Sequence, residues 1–223
     1  MVVTELAFLT ASLGGLSSEG KEATNQSLAI QDKWTAQNAP DLPKDRAGRG
    51  VALFRQVQDP SIYILSAHWD SAEQLEQWLK SPENQKAYPA LGDYYDLNKT
   101  SVAHIENVWL FKSSGAPGEI TLLDSPIVSV ARISVPTENR PKFEKNWGDV
   151  KGLLENFAKP YAVRSGWRVE KVDPGLEEFV ITAGWESIER HEAWSKDPNF
   201  KTYISALQPL AKSQDIQAYT RVL

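Results

Sequence analysis

Hydrophobic and polar positions follow the same plan twice along the chain. In each half, an alternating apolar stretch ends in tryptophan and passes at once into a helical pattern, first over residues 61–78 and again over 177–194. Laid on each other at an offset of 116, residues 61–82 and 177–198 agree at eight positions, with Trp69/Trp185 and Trp78/Trp194 among them. Repetition of this kind predicts one domain written twice.

The periodicity gives both halves the same order of elements. Alternating or β-branched apolar runs predict strands, and steps of three and four predict helices. The strands are predicted at 2–10, 51–57, 61–69, 101–111, 127–135, 161–171, 178–185 and 215–222. The helices are predicted from Ser17, from Ser71 with a break near Pro82 and a continuation to Leu91, from Thr137, and over 187–211.

The order β-α-β-β-α-β in each half is the ferredoxin-like arrangement, so the predicted fold class is α+β. The predicted domains are 1–112 and 126–223, joined by a linker over 113–125. In this arrangement two helices cover one face of a four-stranded sheet. Both faces of the third strands are largely apolar, so we expect the tandem domains to pack sheet to sheet.

Composition and charge narrow the classes of function. The 223 residues are 41% hydrophobic and 24% charged, as in soluble globular proteins, and the net charge of −5 argues against nucleic acid or anionic membrane as a partner. No apolar segment approaches the roughly 20 residues that span a bilayer, so a cytoplasmic location is expected. Without cysteine, HxxxH or HxH spacing, or a glycine-rich phosphate loop, no metal or nucleotide is expected; the predicted cofactor is none.

The order of elements and the tryptophan that ends each third strand, Trp69 and Trp185, resemble the dimeric α/β-barrel superfamily in its antibiotic biosynthesis monooxygenase branch. A tandem chain of this kind resembles a fused, pseudo-dimeric barrel, a form associated with fungal proteins. The resemblance implies a pocket bordered by the tryptophan. It also implies a range of activities, because the superfamily includes cofactor-free monooxygenases, polyketide cyclases, lactone isomerases, heme-degrading enzymes and proteins of no known activity.

The sequence departs from the family pattern at two kinds of position. Ala67 and Ala183 stand where the family commonly has a glutamate two residues before the tryptophan. Trp78 and Trp194 stand where it often has a helix histidine. Neither first strand carries the asparagine of heme-degrading members, which argues against heme degradation.

Candidate site residues follow from the inward faces. His191 lies on the same helix face as Trp194, where the first half has Leu75, and an imidazole among aromatic walls suits a general base. Arg168, or alternatively Arg164, could stabilise an enolate. His68 and His104 are interpreted as structural. The predicted walls of a flat apolar pocket are Trp34, Tyr63, Trp69, Trp78, Trp147, Phe179, Ile181, Trp185 and Trp194.

The leading prediction is a cofactor-free enzyme of secondary metabolism that acts on a bulky aromatic or polyketide-like substrate. Proton abstraction by His191 would lead to cyclisation, isomerisation or monooxygenation. One alternative is a non-catalytic barrel that binds hydrophobic ligands or responds to stress, and another is a heme binder with His191 as axial ligand. The predicted partner is a small hydrophobic molecule, and a homodimer of the tandem chain stays open.

Overall fold

The chain divides into two units in the computed structural model of the protein, which describes residues 1–171 and 173–223. The N-terminal unit comprises residues 1–109 and 220–223, and the C-terminal unit comprises residues 110–219. Each unit contains a four-stranded antiparallel sheet with helices on one face. The predicted α+β class and the β-α-β-β-α-β order are therefore confirmed.

The N-terminal unit contains four strands and three α-helices. Its strands pair in the order β4-β1-β3-β2. Ser71 caps the second helix, as predicted, by accepting the backbone N–H of Gln74. In chain order the elements are β1 (Val3–Thr10), α1 (Ser18–Asn38), β2 (Ala52–Gln56), β3 (Ile62–Trp69), α2 (Ala72–Lys80), α3 (Asn84–Ala87) and β4 (Ser101–Glu106).

The C-terminal unit repeats the plan with the strand order β8-β5-β7-β6. Ser187 caps its second helical segment through the backbone N–H of Arg190, at the position equivalent to Ser71. In chain order the elements are β5 (Ile127–Pro136), α4 (Arg140–Ala158), β6 (Val163–Trp167), β7 (Leu176–Trp185), α5 (Ile188–Ala193), α6 (Pro198–Leu207) and β8 (Ser213–Arg221).

Three predicted elements are wrong in extent. The strand predicted over 161–171 is confined to Val163–Trp167. The strand predicted over 101–111 ends at Glu106, because Asn107 takes a positive φ of 61° and turns the chain. The single helix predicted over 187–211 is broken into α5 and α6 at Pro198, which has no backbone N–H to continue the first helix. Asp197 caps the new helix by accepting the backbone N–H of Asn199 at 2.8 Å.

The helices pack on the face of each sheet that carries the third-strand tryptophan. In the C-terminal unit, Phe143 of α4 is fully buried and contacts Trp167 and Phe179, with ring centroids 5.8 and 5.3 Å apart. Such edge-to-face contacts add to the hydrophobic effect of burial. Among residues 1–171 and 173–223, none of the helices combines the length and hydropathy that crossing a bilayer requires.

Residues 220–223 complete the N-terminal unit although the sequence reaches them last. The backbone N–H of Val222 donates to the carbonyl of Leu53 at 2.8 Å, and Leu53 donates in return to Leu223 at 3.2 Å. Leu53 itself is fully buried in β2. The edge of β2 therefore depends on a segment about 170 residues further along the chain.

We expect Phe143→Ala to lower the free energy of unfolding of the C-terminal unit by about 3–5 kcal/mol, because it removes a fully buried ring between two aromatic neighbours. Urea unfolding followed by tryptophan fluorescence measures the change. Val169→Ala, at a position that is 42% exposed, serves as the control and should stay within about 0.5 kcal/mol of the parent. A loss below about 1 kcal/mol in Phe143→Ala would contradict this account of the core.

Candidate functional site

Each third-strand tryptophan donates its indole N–H to a side chain on the first strand of its own unit. Trp69 Nε1 donates to Glu5 Oε2 at 2.9 Å, and Trp185 Nε1 donates to Ser129 Oγ at 2.8 Å. Both tryptophans are only 2% exposed. A buried N–H left without an acceptor costs about 1–3 kcal/mol, so each unit needs a polar side chain at this point of its apolar sheet face.

The two acceptors occupy equivalent positions in the two sheets. Glu5 lies directly opposite Ala67 on β3, and Ser129 lies directly opposite Ala183 on β7. Directly opposed side chains point to the same face of a sheet, with Cβ atoms about 5 Å apart. In the N-terminal unit a carboxylate is therefore present beside the alanine position, supplied by the neighbouring strand.

Glu5 has a second cross-strand neighbour, on its other side. The register of β1 with β4 places His104 directly opposite Glu5. A carboxylate and an imidazole thus share one sheet face at the distance of a cross-strand pair. The position equivalent to His104 in the C-terminal unit is Ala218, opposite Ser129, so this pairing belongs to the N-terminal unit alone among the described positions.

A cavity of about 300 Å³ lies between the sheet and the helices of the N-terminal unit, and Glu5 is one of its lining residues. Its walls are mainly apolar, with Trp78 at one side. Behind Trp78, the rings of Trp34 and Trp69 fill the core, with Trp34 5.4 Å from Trp78 and 6.3 Å from Trp69. The polar lining residues are Glu5, Ser27, Gln31, Asn84 and Thr100.

The corresponding cavity of the C-terminal unit is much smaller, at about 90 Å³. It is lined by Ile181, Trp185, His191 and Trp194, which the sequence analysis singled out together. Ligand pockets usually measure about 300–1,000 Å³, so the C-terminal cavity lies below this range and the N-terminal cavity at its lower limit. Tyr203 takes up part of the space, packed 5.5 Å from Trp194.

His191 is half-buried in this smaller cavity, with its ring 5.2 Å from that of Trp185. Its Nδ1 atom is buried without a hydrogen-bond partner. Burial lowers the pKa of the imidazole below its ordinary value, and the neighbouring Glu192 carboxylate opposes this in part. The imidazole is therefore neutral at neutral pH, the form in which it can accept a proton.

Residues 36–90 match the family model of antibiotic biosynthesis monooxygenases. The predicted resemblance to this family is confirmed. The matched segment runs from the end of α1 through β2, β3 and α2 to the residues around α3, so it lies in the unit with the larger cavity. No protein of curated function matches the chain in sequence.

Several solved structures resemble the chain over its length. A presumed monooxygenase from Fusobacterium nucleatum is 10% identical, with a TM-score of 0.61 over 100% of this chain and 93% of that one. An anthrone oxidase-like protein is 14% identical, with a TM-score of 0.61 over 100% and 92%. A presumed monooxygenase from Lactobacillus acidophilus is 12% identical, with a TM-score of 0.58 over 99% and 93%. At these identities the likeness shows the fold alone.

Five of the predicted wall residues lie in the core rather than along either cavity: Trp34, Tyr63, Trp69, Trp147 and Phe179. Trp147 donates its indole N–H to Ser165 Oγ at 3.0 Å and packs on Phe179 at 5.7 Å. Tyr63 accepts the backbone N–H of Leu16 through its hydroxyl. Aromatic cores of this kind produce the same sequence pattern as ligand walls, so the pattern alone could not separate the two.

The predicted arginines are held in ion pairs away from the two cavities. Arg168 Nε donates to Glu170 Oε2 at 3.0 Å, and its Nη1 lies 3.7 Å from Glu178 Oε1. Arg164 donates to Glu119 Oε1 at 2.6 Å and lines a more polar concavity beside residues 114–119. Arg168 alternates with Trp167, which is buried in the core, and this places the arginine on the opposite face.

Glu5 was not among the predicted site residues, although its position in the sequence marks it as unusual. Val3, Glu5, Ala7 and Leu9 alternate along β1, so the carboxylate occupies an inward position of an apolar strand. Acidic residues are rarely buried on such a face without a partner or a role. Among the described residues, no three histidine, aspartate or glutamate side chains come together as metal ligands.

We expect stability to depend on pH through His191. The folded protein binds a proton at His191 less readily than the unfolded chain, so the free energy of unfolding should fall as pH drops below the ordinary imidazole pKa of about 6.5. His191→Leu, which introduces the residue found at position 75, should reduce this fall. Urea unfolding at about pH 7.5 and about pH 5.5 measures it.

Glu192→Gln provides the opposite change, because it removes the carboxylate that favours protonation of His191. The loss of stability at the lower pH should then be larger than in the parent protein. An unchanged pH dependence in both variants would show that the His191 side chain is not shielded from water in solution.

Proposed function

We propose that the protein is a cofactor-free enzyme that removes a proton from a hydrophobic aromatic or polyketide-like substrate held in the N-terminal cavity. The observation that carries the proposal is a carboxylate, Glu5, on the wall of a mainly apolar cavity of about 300 Å³. A base in an apolar, ligand-sized space can abstract an acidic C–H proton next to a carbonyl or a phenol. The resulting enolate can close a ring, isomerise or react with O₂.

Each neighbouring side chain has a role in this proposal. The indole N–H of Trp69 fixes one oxygen of the Glu5 carboxylate at 2.9 Å, which orients the base. His104 lies directly across the strand pair, where its imidazole stabilises the carboxylate. Trp78 provides a flat apolar wall for a ring system.

Anthrone is a suitable probe, because a structure of an anthrone oxidase-like protein shares the fold of the whole chain. Glu5 would take a proton from the CH₂ carbon between the two rings, leaving an anthranolate anion. O₂ would oxidise this anion and add to the same carbon, and the proton from Glu5 would complete a hydroperoxide. Loss of water then gives anthraquinone, so one anthrone and one O₂ yield one anthraquinone and one water.

Binding without turnover is the second candidate function. It is favoured by the residues found where the family commonly has its glutamate and its helix histidine, which are Ala67 and Trp78 here. On this alternative the cavity holds a hydrophobic molecule and releases it unchanged. Anthrone bound in the N-terminal cavity without formation of anthraquinone would support it.

The prediction that His191 is the base stays a prediction, and its cavity limits the substrates it could serve. A space of about 90 Å³ between packed aromatic rings does not accommodate a fused-ring molecule unless side chains move. The cavity volumes also argue against heme binding, because a porphyrin is larger than either cavity. The residues around His191 do not fit a heme group, and no step of the proposal involves one.

We expect Glu5→Gln to lower kcat/KM for anthrone oxidation by a factor of about 100 or more, because the amide cannot accept the proton. The amide oxygen can still accept the indole N–H of Trp69, so the fold should be retained. Anthraquinone formation by absorbance measures the rate, and circular dichroism checks the fold.

Glu76→Gln, at an exposed position on α2 that pairs with Lys80, is the matched control and should keep the parent rate. If Glu5→Gln retains at least a third of the parent rate, which is roughly a 0.7 kcal/mol change in the barrier, Glu5 is not the base. His191→Leu in the same assay tests the other candidate base.

A further inference from the structure

Gln31 is a buried polar residue without an evident structural purpose. It lies on α1 and is 8% exposed, and its amide oxygen Oε1 is buried with no hydrogen-bond partner. A buried acceptor in this state costs about 1–3 kcal/mol. Other buried polar side chains of the helix are satisfied within it: Thr24 donates to the carbonyl of Gly20 and Thr35 donates to that of Gln31, both at 2.8 Å.

Gln31 and a second unsatisfied atom line the same cavity. Thr100, which precedes β4, has a buried hydroxyl without a partner, and both residues belong to the lining of the N-terminal cavity. Both residues line one ligand-sized cavity and each has an unsatisfied polar atom. A ligand explains this more readily than folding, since folding alone would favour apolar side chains at both positions.

The remaining polar groups define what such a ligand must offer. The Ser27 hydroxyl already donates to the carbonyl of Ala87 at 3.0 Å, and the Asn84 amide nitrogen donates to Leu79 at 3.2 Å. Those donors are committed within the protein. Glu5 adds a carboxylate, which only accepts. The cavity therefore combines aromatic and aliphatic walls with two residues that each have an unsatisfied oxygen, Gln31 and Thr100.

We propose that the N-terminal cavity selects hydroxylated aromatic molecules, whose hydroxyl donates to Gln31 Oε1 while Thr100 provides a second polar contact. This rests on the proposed function in placing the substrate in this cavity, but it does not depend on turnover. Gln31 is then a specificity-determining residue. A ligand with a hydrogen-bond donor satisfies Gln31 Oε1, whereas a ligand of similar shape without a donor leaves this oxygen unpaired and binds with lower affinity.

Binding of three related probes tests the inference. Equilibrium dialysis gives the affinities for 2-naphthol, 2-methoxynaphthalene and naphthalene, which share one ring system and differ in the donor. The parent protein should prefer 2-naphthol over both others by roughly fivefold or more, the effect of one neutral hydrogen bond. Gln31→Leu should abolish this preference while keeping the affinity for naphthalene.

Three further variants distinguish a loss of specificity from a loss of folding. Gln26→Leu makes the same substitution on the exposed face of the same helix and should keep the full preference for 2-naphthol. Thr100→Val preserves shape and removes the second polar group, so it should reduce the preference in part. Should Gln31→Leu not fold, Gln31→Met supplies an apolar side chain of similar length for the same comparison.

Several outcomes would overturn the inference. Equal affinity of the parent protein for the three probes would do so, as would a preference for 2-naphthol that survives in both Gln31→Leu and Gln31→Met. A preference for 2-methoxynaphthalene would show that the amide presents its nitrogen to the cavity instead. A preference for 2-naphthol without anthrone turnover would overturn the proposed function and leave this inference standing. Anthrone turnover without a preference for 2-naphthol would overturn this inference and leave the proposed function standing.

Discussion

The need to satisfy a buried indole N–H governs both halves of this protein. A tryptophan at the end of the third strand fills the space between sheet and helices, but its one polar atom must meet an acceptor on an otherwise apolar face. The first strand provides that acceptor at the same register position in each unit, as Glu5 or as Ser129. The two units differ in chemistry at this point, because one acceptor is a carboxylate and the other a hydroxyl.

The two units share this framework but differ in the residues and the cavity that surround it. In the N-terminal unit the carboxylate is accompanied by a histidine across the strand pair and by a cavity of about 300 Å³. In the C-terminal unit the imidazole is on the helix and aromatic rings occupy most of the space. The tandem arrangement permits this difference, since one copy can keep a tightly packed core while the other encloses a larger cavity.

The fold could be predicted from the sequence almost completely, whereas the site could be predicted only in part. The alternation of apolar and polar residues in strands, and helix caps such as Ser71, depend on neighbouring residues, so they can be recognised in the sequence. The helix after Ser187 was predicted too long because Pro198 begins a new helix instead of continuing the first. Glu5, Gln31 and Thr100 were missed because they come from three separate elements, and only the folded chain brings them to one cavity. His191 was singled out as a candidate because it interrupts an apolar helix face. The sequence of that face does not determine how large the neighbouring cavity is.

The pairing of Leu53 with Val222 has a consequence for how the protein is made. During synthesis, the N-terminal unit emerges from the ribosome with the edge of β2 unsatisfied, and residues 220–223 follow only after the whole C-terminal unit has been translated. Exposed strand edges recruit other chains, so the nascent protein passes through a stage that is open to intermolecular pairing. The N-terminal unit therefore gains its last strand-edge pairing only after residues 110–219 have been made, so this pairing is a late event in folding.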